Sequence, residues 1–441
     1  MNRLANLVLS VRLAALLLCL PHLAATEDST AIKLNLGERV TTASKTRSLL
    51  QLYFPQVKRT SESSLDSAYK IYLRAVLSSD ERREFDRATI EFVAQLHNGH
   101  TFFWDTWLDK SNQPLGFYAA PLGGYWVVQR SFLPSLKPGD IIASIANTST
   151  EAFFEQQQRY ISASSTAAQR NNLFLLPYLF PEQFTLTLDS NRKVTINREK
   201  VKETQQKTSG RWLKPGAAAY VHIPAFNHPK FEQAALDFIG QFRNAKTLII
   251  DIRNNSGGVT PQRLIQTLMD KPYREWKEST PVRAALAECD QKKEKAKNST
   301  TMPPFLQNCE RSPGDYLCST PVTWGGDIVE PNPDAFHGHV ILLTDGGCVS
   351  ACEDFVEPFK QSGRGIIVGE TTEGSSGVPL FYDFGNGMTL KIAVKRFYFP
   401  DGSEFEGVGI KPDVEVHPTI ESLKAGRDVI LEKALELAEK P

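Results

Sequence analysis

A chain of 441 residues, 41% apolar and 23% charged, has the length of about two to three globular domains and the composition of neither a disordered nor a membrane-embedded protein. Lysine plus arginine and aspartate plus glutamate number 50 each, so no net field draws it to nucleic acid or to an anionic bilayer. Residues 1 to 25 read as a secretory signal: Arg3 and Arg12 lie before or early in an apolar run, Leu13 to Leu20, and Ala24-Ala25 supply small residues at its end. Export to a periplasm or secretion is expected. No later stretch reaches the roughly 18 apolar residues of a membrane-spanning helix. Beyond the signal, Cys289, Cys309, Cys318, Cys348 and Cys352 make an odd count with no C-x-x-C pair, and the histidines show no zinc spacing. Neither a metal nor a cofactor is expected.

Residues 26 to 110 read as a helical region, because segments 68–77 and 87–96 repeat apolar residues every three and four positions. The second segment stops at His97-Asn98-Gly99, and His100 follows the turn, opening the aromatic stretch Thr101-Phe102-Phe103-Trp104. A histidine at an element boundary is a candidate reactive group. From residue 111 to 201 the texture changes to short β-like runs, with Pro114-Leu115-Gly116-Phe117, Tyr125-Trp126-Val127-Val128 and Leu136-Lys137-Pro138-Gly139-Asp140-Ile141-Ile142. These motifs resemble a PDZ domain, and the resemblance implies a module that takes a peptide at a sheet edge. Pro114 replaces the glycine that commonly starts the carboxylate loop of that family.

Lys202 to Gly210 reads as a linker. Strand, helix and strand then alternate over 218–223, 231–242 and 247–252, a pattern that predicts a parallel sheet covered by helices within a catalytic unit spanning 210–418. The last of these strands runs into Asp251-Ile252-Arg253-Asn254-Asn255-Ser256-Gly257-Gly258, where a Gly-Gly turn can point N–H groups into a concavity. Asp251, Arg253 and Asn255 are expected to hold that turn rather than meet substrate. Residues 271 to 337 read as an irregular insert, with Cys309 and Cys318 the favoured disulfide within it and Cys289 able to replace either.

The apolar run Val340 to Leu343 leads through Gly346-Gly347 to Ser350 and an acid-tipped segment, Ala351-Cys352-Glu353-Asp354-Phe355. A serine at such a strand–turn–helix junction is either an ordinary N-cap or a nucleophile whose oxyanion the Ala351 N–H and helix dipole would stabilise. Cys348 and Cys352 bracket it, and are read as small apolar residues packing the turn in preference to a bonded pair. Further strands are expected around 365–370 and 388–394, and one closing helix over 419–441.

Asp251-x-Arg253-x-Asn255-x-Gly257-Gly258, the Ser350 turn, Gly369-Glu370-Thr371 and Glu406-x-x-Gly409-Ile410-x-Pro412-Asp413 together resemble the tail-specific (C-terminal-processing) serine protease family. That resemblance implies an α/β fold: a crotonase/Clp-like core with a parallel-rich sheet, a helical N-terminal region and an inserted PDZ-like domain. One branch of the family pairs its serine with a lysine in a Gly-Lys-Gly setting, but here the setting reads Gly374-Ser375-Ser376 and no lysine occurs from 361 to 390. The other branch, typified by the tricorn core protease and the chlamydial protease-like activity factor, takes a histidine before the PDZ-like module and a glutamate after the serine. His100, Ser350 and Glu406 fall in that order. The resemblance implies Ser350 as nucleophile, His100 as base, Glu406 as its orienting acid with Glu370 the rival, and an oxyanion hole from Ala351 with Gly257 or Gly258. The expected partner is an unfolded or extended polypeptide, and a homo-oligomer is compatible with the sequence. A second reading is a non-catalytic protein that binds an apolar ligand or a peptide on the same fold.

Overall fold

The computed structural model describes residues 32–55, 62–111, 113–198, 207–281 and 321–439. The leader, Cys19 and the insert cysteines Cys289, Cys309 and Cys318 lie outside the described residues, as does most of the expected linker. The fold is mixed α/β. A six-stranded sheet runs in the order Val414–Glu415, Ile366–Gly369, His339–Thr344, Thr247–Asp251, Ala218–His222, Ser209–Lys214. The first five strands are parallel and Ser209–Lys214 closes one edge antiparallel, so residues 209 and 210 are strand rather than linker.

Thr247–Asp251 is buried along its whole length, because helices cover both faces of this part of the sheet. On one face Ala235, Ile239, Leu264, Phe355 and Phe359 pack against Leu248, Ile250 and Leu342. On the other, Ile430 and Ala434 pack on Ile249, Ile341 and Leu343. Apolar side chains pointing both ways from one strand are what make its sequence a continuous aliphatic run.

The N-terminal helices Leu36–Tyr53, Glu62–Ser78 and Arg82–Ala94 share a second core with the β-rich segment that follows. That segment contains the pair Phe117–Leu122 and Tyr125–Ser131 and the four-stranded antiparallel sheet of Thr148–Ser149, Ile142–Ile145, Gln183–Leu188 and Lys193–Asn197. Trp126 is buried within it, whereas Tyr125 faces outward. Gly139, in the Leu-x-Pro-Gly-Asp turn, has φ +87°, and a Cβ there would meet Lys424 at 2.5 Å, so this turn abuts the C-terminal helical segment.

Two further expectations are corrected. The insert is not irregular at its base: Lys277–Pro281 pairs with Pro321–Gly325 and with Arg396–Tyr398, while Tyr273–Arg274 pairs with Ile328–Val329. The closing helix is two helices, Ile420–Lys424 and Val429–Ala438. Gly426 adopts φ +65° after the first, and Asp428 caps the second by accepting the Leu431 N–H. Among the described residues no helix is long and apolar enough to cross a membrane.

Candidate active site

Ser350 stands where His339–Thr344 gives way to the helix Ala351–Ser362. Its backbone has φ +62° and ψ −125°, a conformation costly for a residue with a Cβ. Ser350 occupies the N-cap position, with its N–H bonded to Glu353 Oε2 at 3.1 Å, on a strained elbow that can present its hydroxyl. Cys348 and Cys352 meet across this bend with Cα atoms 5.4 Å apart, inside the range that a disulfide requires. The bend at Ser350 brings the two cysteines within bonding reach, where the sequence favoured two separate packing residues.

The Gly-Gly turn lies directly beside the elbow. Val349 N–H donates to Asn255 O, and Asp345 accepts from both Asn254 N–H and Gly347 N–H. A Cβ on Gly257 would sit 2.6 Å from Val349 O and 2.9 Å from Ala351 N, so only glycine permits this approach. Gly257 N–H itself donates to Asn255 Oδ1 at 2.9 Å. That bond leaves the Gly258 and Ala351 N–H groups, for which no acceptor is seen among the described residues. Asp251 and Arg253 pair with each other, and Arg253 reaches Asp428, so both brace the turn from behind.

His100 is buried and its Nδ1 lies 2.9 Å from Ser375 Oγ. Burial, with the nearby Lys391 charge, pushes its pKa down to about 3, so the imidazole is neutral across the physiological range. Asn98 fixes the turn that carries it: Asn98 Oδ1 accepts His100 N–H at 3.0 Å, and Asn98 Nδ2 donates to Glu406 Oε1 at 2.8 Å. Glu406 does not bond His100 directly. It accepts from Ser164 Oγ and, at a long 3.4 Å, from Ser375 Oγ, and burial raises its pKa to about 7. Glu370 pairs instead with His417, Oε1 to Nδ1 at 2.8 Å, which removes it as the rival orienter.

Ser375 joins the two halves of the site, since Ser350 N–H donates to its carbonyl at 3.0 Å while its hydroxyl meets His100. Glu353, fully buried in the first turn of the Ser350 helix, fixes the loop that carries Ser375. Its carboxylate accepts from Thr372 Oγ1 at 2.6 Å, Gly374 N–H at 2.7 Å, Ser375 N–H at 3.0 Å and Ser350 N–H at 3.1 Å. Burial pushes the Glu353 carboxyl up, while the bonds from Thr372, Gly374 and Ser375 oppose that shift. Sequence reasoning missed Ser375, Glu353, Asn98 and Ser164. The substitution of Ser375 into a Gly-Lys-Gly setting was the one available signal.

Residues 217–416 match the family model described as Peptidase family S41. The resemblance to the tail-specific serine proteases therefore holds over the segment carrying Ser350 and Glu406. Among curated relatives, the chain is 22% identical over 293 residues to a chloroplastic C-terminal processing peptidase of Tetradesmus obliquus, covering 64% of this chain and 54% of that one. It is 23% identical over 286 residues to the chloroplastic carboxyl-terminal-processing peptidase 2 of Arabidopsis thaliana, covering 64% and 46%. The chain thus spans only about half the length of these relatives. Mature CPAF complexed with lactacystin superimposes with a TM-score of 0.69 at 17% identity, covering 92% of this chain and 98% of that one. The photosystem II D1 C-terminal processing protease gives 0.50 at 20% identity, covering 86% and 93%. At these identities the superpositions establish the fold.

Proposed function

We propose that this protein is an exported serine endopeptidase or C-terminal processing protease that cleaves extended polypeptide through an acyl-enzyme. The observation that carries the reading is the Ser375 bridge, which holds the strained Ser350 elbow and the buried His100 on one residue. His100 Nδ1–H donates to Ser375 Oγ, which leaves Nε2 as the basic nitrogen to take the Ser350 proton and return it to the leaving amine. Glu406, reached through Ser375, stabilises the imidazolium at one remove. The Gly258 and Ala351 N–H groups receive the oxyanion, a donor pair whose single loss typically costs about a hundred- to a thousandfold in turnover.

The remaining parts follow the same reading. Residues 111–201 form a PDZ-like module that feeds chain to the catalytic unit at 210–418, with 26–110 supplying the histidine and 419–441 closing the core. Cys348 and Cys352 are bonded in the exported protein, where the compartment is oxidising. Fluorophosphonate labelling with a casein or peptide cleavage assay tests the proposal. The intact protein should take one adduct at Ser350 and cleave, and Ser350→Ala should do neither. A folded protein that takes no adduct and cuts nothing refutes it.

A further inference from the structure

Lys391 lies in the strand Met388–Ala393, directly opposite Phe102 on one side and Phe381 on the other. All three side chains leave the sheet on the same face, and Lys391 Nζ stands 4.9 Å from the Phe102 ring centroid and 5.9 Å from that of Phe381. The neighbouring cations are matched: Lys395 pairs with Glu278 and Arg396 with Glu404. Lys391 has no carboxylate within ion-pairing distance among the described residues, and burial alone perturbs it, lowering its pKa. Its face remains open, since Phe381 is 61% and Trp104 43% exposed.

The position of this cation matters more than its isolation. His100 lies in the turn just ahead of the strand, two residues before Phe102, whose ring Lys391 Nζ approaches to 4.9 Å, so the ammonium is near enough for its charge to be felt at the imidazole. During acylation His100 becomes an imidazolium, and an uncompensated ammonium nearby raises the energy of that state. A carboxylate seated on Lys391 would cancel the opposing field when the imidazolium forms. Stabilisation of that kind is felt in the transition state more than in the substrate complex, and so raises kcat.

We propose that Lys391, flanked by Phe102 and Phe381, is a substrate-carboxylate subsite beside the catalytic histidine and makes cleavage selective for peptides that carry a carboxylate near the scissile bond. The carboxylate comes from an Asp or Glu side chain or from the chain terminus. This assignment rests on the peptidase reading for its effect on turnover, but its binding component does not.

The test uses the full exported chain with matched peptides: Glu against Gln near the cut site, and a free against an amidated C-terminus. The carboxylate form should be cleaved with kcat/KM on the order of tenfold higher, mostly in kcat, as expected for a charge-assisted contact. The pair that shows the difference identifies the source. Lys391→Met should erase the preference and Lys391→Arg should keep it, with thermal melts verifying that both variants fold. In the Ser350→Ala background the same carboxylate peptide should bind more tightly than its neutral partner, and adding Lys391→Met should remove the difference. Binding selectivity without any cleavage by the parent protein would refute the peptidase reading and retain the subsite. Equal binding and equal cleavage of all four peptides, or a preference that survives Lys391→Met, overturns the subsite.

Discussion

Ser375 Oγ lies 2.9 Å from His100 Nδ1 and 3.4 Å from Glu406 Oε1, so a serine hydroxyl stands between the histidine and its acid. A direct carboxylate–imidazole bond would fix the tautomer and stabilise charge in one contact, whereas here the two tasks are divided. In the proposed mechanism Ser375 orients the imidazole and Glu406 acts at a distance. Ser375→Ala should therefore lower kcat roughly tenfold with little change in KM, the scale of one lost hydrogen bond to a group that becomes charged. Ser375→Thr, which keeps a hydroxyl, should recover part of the loss. Steady-state kinetics on one peptide check this, and an unchanged kcat in Ser375→Ala would remove the bridge from the mechanism.

Glu353 is a positioning residue, acting through the Ser375 loop rather than on substrate. Replacing it by Gln keeps the shape but turns an NH2 group toward donors that need an acceptor, namely Ser350 N–H and Ser375 N–H on Oε2. Ser350 N–H keeps its bond to the Ser375 carbonyl, so one buried donor, Ser375 N–H, loses its partner at about 1–3 kcal/mol. Glu353→Gln should fall in melting temperature and in kcat together, with fluorophosphonate labelling of Ser350 slowed but not abolished. Wild-type stability in Glu353→Gln would show that the four contacts are incidental.

The pH dependence follows from Glu406. Its pKa, raised to about 7 by burial, leaves it neutral below that pH, where it cannot stabilise the imidazolium, while His100 stays neutral far lower. Activity should rise with pH through about 7, and Glu406→Gln should flatten that limb at a lower plateau. Stability carries the opposite sign: an acid whose folded pKa is raised stabilises below its ordinary range and loses that contribution as pH rises through about 7. Glu373 is also raised to about 7 and faces Glu406, while Arg396 opposes the shift. Glu406→Gln should thus reduce, without eliminating, the fall in melting temperature between about pH 5 and pH 8. A wild-type rate limb centred near 4 would contradict the assignment.

The parallel strands and the Ser350 elbow were legible because continuous aliphatic runs and Gly-Gly turns are local signals. His100 and Glu406 were proposed only through motif order, since the 305 positions between them say nothing about contact. Ser375 and Glu353 were not, because their roles exist only once loop 372–376 is folded against the helix start and the Glu406 loop. That docking needs Gly407 and Gly409, at φ +76° and +74°, where a Cβ would stand 2.6 Å from Ser164 O and 2.3 Å from Thr372 O. The split in the closing helix was written in Ala425-Gly426-Arg427-Asp428, a C-cap glycine followed by an N-cap aspartate within an otherwise helical pattern.

Cys348 and Cys352 enclose the elbow with Ser350 at its midpoint, and both are fully buried. A cross-link closing so short a loop removes little entropy from the unfolded chain, so its contribution to global stability should be small compared with that of a long-range bridge. Its effect falls instead on the local bend: with the link intact, the strained backbone at Ser350 has fewer ways to relax toward an ordinary helical start. Reduction should therefore lower kcat and slow fluorophosphonate labelling while the melting temperature moves little. Burial of both sulfurs makes the bond slow to reach, so reductant is applied under mild denaturant and removed before assay, with thiols counted by alkylation. Cys348→Ser/Cys352→Ser gives the same comparison without reductant. Full activity in the double variant, or an equal loss of activity and melting temperature, would show that the pair does not hold the nucleophile in place.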